Sequence, residues 1–493
     1  RLKDSLPGLG SHYKYGVVTF DGQMDDSALL AQIFATCTAE RPGFTPSIAM
    51  NYTRLEGFRF DEKGRIEKAV IREKTKGKLM EVKVKTVVNA AGSFGDQVRH
   101  MANPELQPVM RLSKGDHLVV DLEGILTPKR SDDYTESTIT RGNTNVSEST
   151  TTSDGSLPSR DNLGSLPPAS FRNKFQTSGT SGGRMGILIP RTRDGRVIFG
   201  LPWRGSTVLG TSDIEWSEPV VDPLPDASSA EQIISEVRRV CPEATLRVRA
   251  HWAGLRPLVM ADPKGSTKDA LRVHYLESDP KSGLISVLGG KWTIFRRMGE
   301  EAIDRVLIDL KKRGLLTPEE ALSKSALTTR NARLSNDPRP IIADPTKPQP
   351  PFSRVEWLRG IGDLAGVKFP NSDPALVEYL ISNYGLHALK ILEDIQSHPE
   401  KGESLLPGTL FTPAEIEYLA KYQFATFPYD AITRRLRIAF TDSRLAEELL
   451  PSVVDVYGNL NGWNDEKRKE EFEFNREVLR RNQFDFSTPR EMS

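Results

Sequence analysis

The chain has 493 residues, of which 37% are hydrophobic and 27% charged, with 67 Lys+Arg against 66 Asp+Glu. That length calls for roughly two to four domains. The charge balance excludes a nucleic-acid binder driven by bulk electrostatics, and no apolar run is long enough to form a bilayer-spanning helix. The two cysteines, Cys37 and Cys241, exclude a disulfide framework and a cysteine zinc site and point to a reducing compartment. Peripheral membrane attachment stays open.

In chain order, residues 15–20 are rich in β-formers and predict a strand, followed by a turn at Asp21-Gly22. Asp25-Asp26 puts negative charge at the start of a helix that continues to Thr38. Strands are predicted at 48–52, 54–60, 66–73 and 80–84, separated by polar turns. Residues 86–90 read as a fully buried strand ending in the small-residue turn Ala91-Gly92. Residues 128–184 are Ser, Thr, Asn, Gly and Pro with few large apolar groups; they read as a disordered surface insertion. Strands return at 185–190, 197–203 and 207–211, the second after a hairpin turn at Asp194-Gly195. An amphipathic helix is predicted at 228–240. A strand at 284–288 runs through Gly289-Gly290-Lys291-Trp292-Thr293 into a helix at 295–310. Residues 328–352 read as a linker, and 355–484 as helical. Thr412-Pro413-Ala414-Glu415 is a helix start with Thr at the cap and Glu at the third position.

A dinucleotide pyrophosphate is cradled by glycines between a strand and a helix N-terminus. Gly8-Leu9-Gly10 is the nearest match and precedes the predicted strand instead of following one. Other segments are better placed for chemistry. The turn Asn89-Ala90-Ala91-Gly92 lets a ligand approach the backbone, or serves as a tight packing turn. Gly289-Gly290-Lys291 opens a helix, whose amides attract an anion or an electron-rich ring edge, or form a plain cap. Arg256 stands in the apolar stretch Trp252–Leu258 and needs a partner: a structural carboxylate or a substrate phosphate. His117, at the start of an apolar strand, has a proton-transfer side chain but is more often structural. No histidine spacing suggests a metal site. Arg434, Arg435 and Arg437 form either a membrane-surface face or, preferably, a salt-bridged solvated face.

In order, Tyr15-Gly16-Val17-Val18-Thr19-Phe20-Asp21-Gly22-Gln23-Met24-Asp25-Asp26, Val87 to Asp96, Ser113-Lys114-Gly115-Asp116-His117, Asp194 to Phe199, Leu201-Pro202-Trp203, Gly210-Thr211-Ser212-Asp213, Gly254-Leu255-Arg256-Pro257-Leu258, Gly289-Gly290-Lys291-Trp292-Thr293 and Tyr429 to Phe440 resemble segments of the FAD-dependent, mitochondrial-type glycerol-3-phosphate dehydrogenases. The resemblance implies an α/β (α+β) FAD-dependent oxidoreductase of the glutathione-reductase/D-amino-acid-oxidase type, with a mixed-sheet cap domain and a C-terminal α-helical domain. The implied division is 1–127, partial FAD-binding domain and cap; 128–184, insertion; 185–327, cap and return to the FAD-binding domain; 328–352, linker; and 353–493, helical domain. The family's dinucleotide fingerprint would precede Arg1.

The resemblance further implies oxidation of sn-glycerol 3-phosphate to dihydroxyacetone phosphate, with FAD taking a hydride and a quinone as final acceptor (EC 1.1.5.3). By carry-over Arg256 and Lys291 hold the substrate and His117 is the base. Ala91, Gly92, Gly254, Gly289, Gly290 and Thr293 approach the flavin, and Leu55 the adenine side. Mitochondrial location, peripheral contact with the inner membrane and a homodimer follow as family expectations, with no nucleic-acid partner. The calcium-binding EF-hand pair of animal members has no counterpart. The competing readings are an oxygen-using glycerol-3-phosphate oxidase, a non-catalytic truncated remnant, and an amine or hydroxy-acid oxidase of the same fold.

Overall fold

Local rules set several elements before packing does. In the computed structural model, Asp25 caps α1 (Asp26–Thr38), its carboxylate accepting from Ala28 N at 3.0 Å. The structure describes residues 8–17, 22–40, 46–123, 186–193, 195–242, 245–260, 273–323 and 354–481. The predicted insertion, the linker and the Asp21 half of the first turn lie outside them.

Strands β1 (Thr53–Phe60), β2 (Ile66–Glu73) and β3 (Leu79–Lys83) form an antiparallel three-stranded sheet in that order. Upstream, the expected strand at 48–52 does not form, and residues 18–20 of the one expected at 15–20 lie outside the described residues. Residues 13–17 form no strand, and Tyr15 and Val17 stand exposed; 46–52 form none either, with Ile48 exposed. Residues 48–52 have β-forming side chains but no neighbouring strand among the described residues, and ladder partners, not propensity, make a strand.

β4 (Val88–Asn89) pairs in parallel with β12 (Ile285–Gly289), which pairs antiparallel with β11 (His274–Ser278). The predicted fully buried strand at 86–90 is thus corrected: it is a two-residue strand with Val88 39% exposed, paired on one side among the described residues. Each strand of the parallel pair ends in a 3-10 turn and a helix. β4 leads through Gly92–Phe94 to α2 (Gly95–Ala102); β12 leads through Trp292–Ile294 to a long helix, Phe295–Lys312.

An ionic knot locks this region. Arg99 on α2 is 2% exposed. It holds Glu277 of β11 with two nitrogens at 2.7 and 3.0 Å, Asp96 at 2.6 Å and the Gln107 carbonyl at 2.9 Å. Asp96 in turn accepts from the amides of Val109 and Met110, fixing where the next strand begins.

That strand, β5 (Met110–Glu123), is central to a six-stranded antiparallel sheet. With β6 (Ile187–Ile189), β7 (Ile198–Trp203), β8 (Ser206–Gly210) and β10 (Thr245–Val259) the order is β10-β5-β8-β7-β6, and β9 (Ile214–Trp216) pairs with β5 alongside. His117 is therefore mid-strand and not at a strand start, because pairing with β9 and β10 extends β5 back to Met110. Helix α3 (Ala227–Val240), capped by Asp226, buries Ala230, Ile233, Ile234, Val237 and Val240 against Leu118, Val120, Ile198 and Leu209. Those helix positions recur at three- and four-residue intervals, one apolar stripe.

Helix α4 (Phe295–Lys312) is followed by α5 (Pro318–Ser323). The carboxy-terminal helices are α6 (Arg354–Lys368), α7 (Pro374–Tyr384), α8 (Ala388–Ser397), α9 (Pro413–Tyr422), α10 (Ser443–Asn461) and α11 (Asp465–Arg481), around a separate apolar core that includes Leu380, Leu392, Leu419, Leu450 and Tyr457. α9 starts as predicted, Thr412 accepting from Glu415 N at 3.3 Å. The Glu415 carboxyl is buried and accepts from the hydroxyls of Tyr379 and Tyr384 at 2.8 and 2.5 Å. Residues 429–440, similar in sequence to a family helix, are not one α-helix. Asp430–Arg435 is a π-helix and Ile438–Phe440 a 3-10 turn, with Arg437 left-handed between them at φ 63°. This segment is where the helical domain meets the rest.

Candidate active site

The register of β5 against β10 assembles the site. Ser113 pairs with Arg256, Gly115 with Gly254 and His117 with Trp252. Side chains alternate along a strand and paired residues share a face, so these six line one face. The opposite face carries Leu118 and Val120 into the α3 core, and near α3's N-terminus a buried polar group, Lys114 and Asp116 with His251. There burial raises the Asp116 carboxyl above its usual range and pushes His251 down to about 4.

On the site face, Arg256 donates to Thr211 Oγ1 at 2.6 Å, to Ser113 Oγ at 3.3 Å and to the Ser212 carbonyl at 3.3 Å; Ser113 in turn contacts Asp213. The guanidinium lies over Gly115, where an added Cβ would sit 2.1 Å from Arg256 Nη2. Across the strand pair, a Cβ on Gly254 would meet nothing within 4 Å. Gly254 therefore leaves a gap, with Arg256, seated over Gly115, on one side and His117 and Trp252 on the other. His117 stacks on Trp252, ring centroids 4.3 Å apart at 15°. Its Nδ1 is buried without a hydrogen-bond partner among the described residues. Burial first, then the Arg256 charge, push His117 down to about 3, so it is neutral at physiological pH.

The second part of the site comes from the parallel pair. Asn89 pins the Ala91-Gly92 turn, donating to the Gly95 carbonyl at 2.9 Å and to Ser286 of β12 at 3.2 Å, and accepting from Ala91 N at 3.2 Å. β10 joins the two parts: it touches the Gly92–Phe94 turn, and its terminal Val259 lies where a Gly289 side chain would go, 2.8 Å from the built Cβ. Gly92, Gly289 and Gly290 hold φ of 55, 66 and 78°, positions that strain any side chain. Lys291 and Thr293 are exposed on the turn after β12.

The structure thus brings His117, Gly254 and Arg256 together on one face, and β10 carries them to the two turns holding Ala91, Gly92, Gly289, Gly290, Lys291 and Thr293. Leu55 stands apart: its side chain packs on the apolar cluster of Phe58, Ile66, Val98, Ala102 and Leu284. Sequence reasoning assigned no role to Thr211, Ser113 or Trp252. The alternation of Ser113, Gly115 and His117 along β5 was a usable signal for Ser113; Thr211 and Trp252 needed the sheet register.

The three carboxy-terminal arginines are engaged within the chain. Arg434 pairs with Asp222 at 2.5 Å, Arg435 donates to the Gln423 carbonyl at 2.6 Å, and Arg437 pairs with Asp26 at 2.9 Å. Among the described residues no group of His, Cys, Asp and Glu could hold a metal ion, and no helix is long and apolar enough to cross a membrane.

Comparison with known proteins places the fold. Residues 174–296 match the FAD dependent oxidoreductase family, and 353–468 match the C-terminal domain of alpha-glycerophosphate oxidase. The fold is therefore that of a FAD-dependent oxidoreductase carrying a C-terminal helical domain. Its likeness to the FAD-dependent glycerol-3-phosphate dehydrogenases runs through nearly all of the chain. A probable mitochondrial glycerol-3-phosphate dehydrogenase of Caenorhabditis elegans is 28% identical over 93% of this chain and 52% of its own length. The mitochondrial enzyme of Arabidopsis thaliana is 28% identical (94% and 62%), and that of Homo sapiens 26% (97% and 54%). The chain thus spans about half to three-fifths of these relatives. Among solved structures, the Bacillus halodurans glycerol-3-phosphate dehydrogenase complexed with FAD shares the fold at a TM-score of 0.62 and 21% identity, covering 89% of this chain and 72% of that one.

FAD is the cofactor of this class, and the residues present fit it. Backbone is open at Gly92 and at Gly254, where a Cβ would find no neighbour within 4 Å. Trp292 Nε1, beside the second turn, is buried without a hydrogen-bond partner among the described residues.

Proposed function

We propose that this chain belongs to an enzyme that oxidises sn-glycerol 3-phosphate to dihydroxyacetone phosphate and passes the electrons to a quinone. The observation that carries the reading is the Arg256 guanidinium bordering the Gly254 gap, with neutral His117 across it.

Arg256 binds the substrate phosphate, which its planar fork of donors suits, and exposed Lys291 adds a second cation. His117 accepts the carbon-2 hydroxyl proton. Its affinity for that proton is low beside Arg256, and the entering phosphate raises it by setting negative charge against the guanidinium. Trp252 backs the imidazole and keeps water from it. The amides and backbone of Ala91, Gly92, Gly254, Gly289, Gly290 and Thr293 hold the flavin edge; Leu55 backs the adenine side. FAD, when bound, supplies the acceptor for the carbon-2 hydride, so the alcohol loses one hydride and one proton and becomes the ketone. Location at the mitochondrial inner membrane, by peripheral contact, completes the proposal, since the relatives are named as mitochondrial.

The test is spectroscopic. Protein made from its full coding sequence should carry visible flavin absorbance that glycerol 3-phosphate bleaches anaerobically and a soluble quinone restores without peroxide release. Peroxide formation in place of quinone reduction would make it an oxidase. Flavin-free protein that ignores the substrate would refute the reading.

A further inference from the structure

Among the described residues, the ring of Phe440 carries the helical domain to the site. Phe440, in the 3-10 turn after the π-helix, meets Trp252 edge to face at 5.6 Å and 73°, and Trp252 stacks on His117 at 4.3 Å. Neither Trp252 Nε1 nor His117 Nδ1 has a hydrogen-bond partner among the described residues. The imidazole interacts with the Gly115 backbone, while its orientation against Trp252 is set by the stack. Phe440 is itself fixed. The Arg437 and Arg434 guanidiniums lie over its ring at 5.3 and 5.6 Å, and they are tied to Asp26 of α1 and to Asp222. The chain just after Phe440 is clamped to β10: Asp442 pairs with Arg249 at 2.8 Å, Arg249 with Asp121 of β5 at 2.7 Å, and Ser443 donates to the Arg249 carbonyl at 2.9 Å. Tyr52, donating to Asp430 at 2.7 Å, holds the π-helix from the other side.

We infer that Phe440 is a positioning residue contributed by the carboxy-terminal helical domain, which sets the His117 imidazole through Trp252. The domain is then part of the site's alignment and not only an attached module. The inference rests on the proposed role of His117 as proton acceptor.

Three variants of the full-length protein test it. Phe440→Leu keeps the volume and removes the ring; Phe440→Tyr keeps the ring; Ser443→Ala weakens the adjacent docking contact and leaves the stack alone. With glycerol 3-phosphate, kcat should fall about tenfold in Phe440→Leu, the size expected for loss of a well-placed proton acceptor's alignment. KM should hold within about twofold, because Arg256 is untouched, and Phe440→Tyr should restore kcat. Ser443→Ala should behave as wild type. An unchanged kcat in Phe440→Leu, or an equal loss in Ser443→Ala, overturns the inference. A second readout needs no substrate. The His117 ring resonance, followed by NMR, should titrate higher in Phe440→Leu than in wild type and stay put in Ser443→Ala. Should glycerol 3-phosphate prove not to be a substrate, that titration still decides: an upward move in Phe440→Leu alone sustains the stack, and no move refutes it.

Discussion

Two arginines in this molecule face opposite surroundings. Arg99 sits in a closed knot, its donors taken by both oxygens of Glu277, by Asp96 and by a carbonyl. Arg256 is half-buried, lies over Gly115, and borders the open space at Gly254. In the sequence Arg256 stands in an apolar stretch, whereas Arg99 follows Asp96, Gln97 and Val98 and precedes His100. The difference is room: a guanidinium enclosed by its carboxylates ties elements together, whereas one bordering the open Gly254 backbone has space for a ligand. Glu415 repeats the closed arrangement with opposite sign, walled in by Tyr379 and Tyr384.

The contrast can be broken by substitution. Arg99→Ala strands the Glu277 and Asp96 carboxylates and should cost about 3–5 kcal/mol, measured by denaturant unfolding of the region that holds the knot. A loss under 1 kcal/mol would mean the knot is not structural. For Glu415, burial pushes the carboxyl up to about 7 from 4.5. The unfolded chain releases this proton near 4.5 and the folded chain near 7, so stability is greatest below 4.5. It falls as pH rises through that window, and the penalty is complete above 7, about 3 kcal/mol in all. Glu415→Gln should remove that slope, so that the variant gains on wild type between pH 4.5 and pH 8; parallel curves would contradict the assignment. Smallest is Gly254→Val. Its Cβ has space, so melting should shift little, while affinity for flavin or substrate falls about tenfold, worth about 1.4 kcal/mol. Unaltered binding would show that the gap is not used.

Much of the scaffold was legible because it follows local rules. The Asp25 and Thr412 caps, the strands at 54–60 and 66–73, and the amphipathic helix α3 all form where the sequence puts them. What failed depended on distant partners. The run at 48–52 has strand propensity and no ladder neighbour among the described residues. Residues 86–90 read as fully buried, and the two-residue strand there is paired on one side among the described residues. Residues 429–440 contain good helix formers, but docking onto α1 and β10 splits them into a π-helix and a 3-10 turn around left-handed Arg437. The site follows the same division. Arg256 and His117 could be singled out as residue types out of keeping with their apolar surroundings. Their shared face is a fact of the β5–β10 register, and Phe440 joins them only through the packing of the helical domain.

The most direct test of the central claim is how Arg256→Ala in the full-length protein discriminates glycerol 3-phosphate from glycerol, read as anaerobic flavin bleaching. The account predicts retained flavin, bleaching by glycerol 3-phosphate slowed on the order of a thousandfold, as for loss of a buried charged contact to substrate, and the preference for the phosphorylated substrate largely erased. Unchanged bleaching with the preference intact would remove Arg256 from the site and the phosphate from this face.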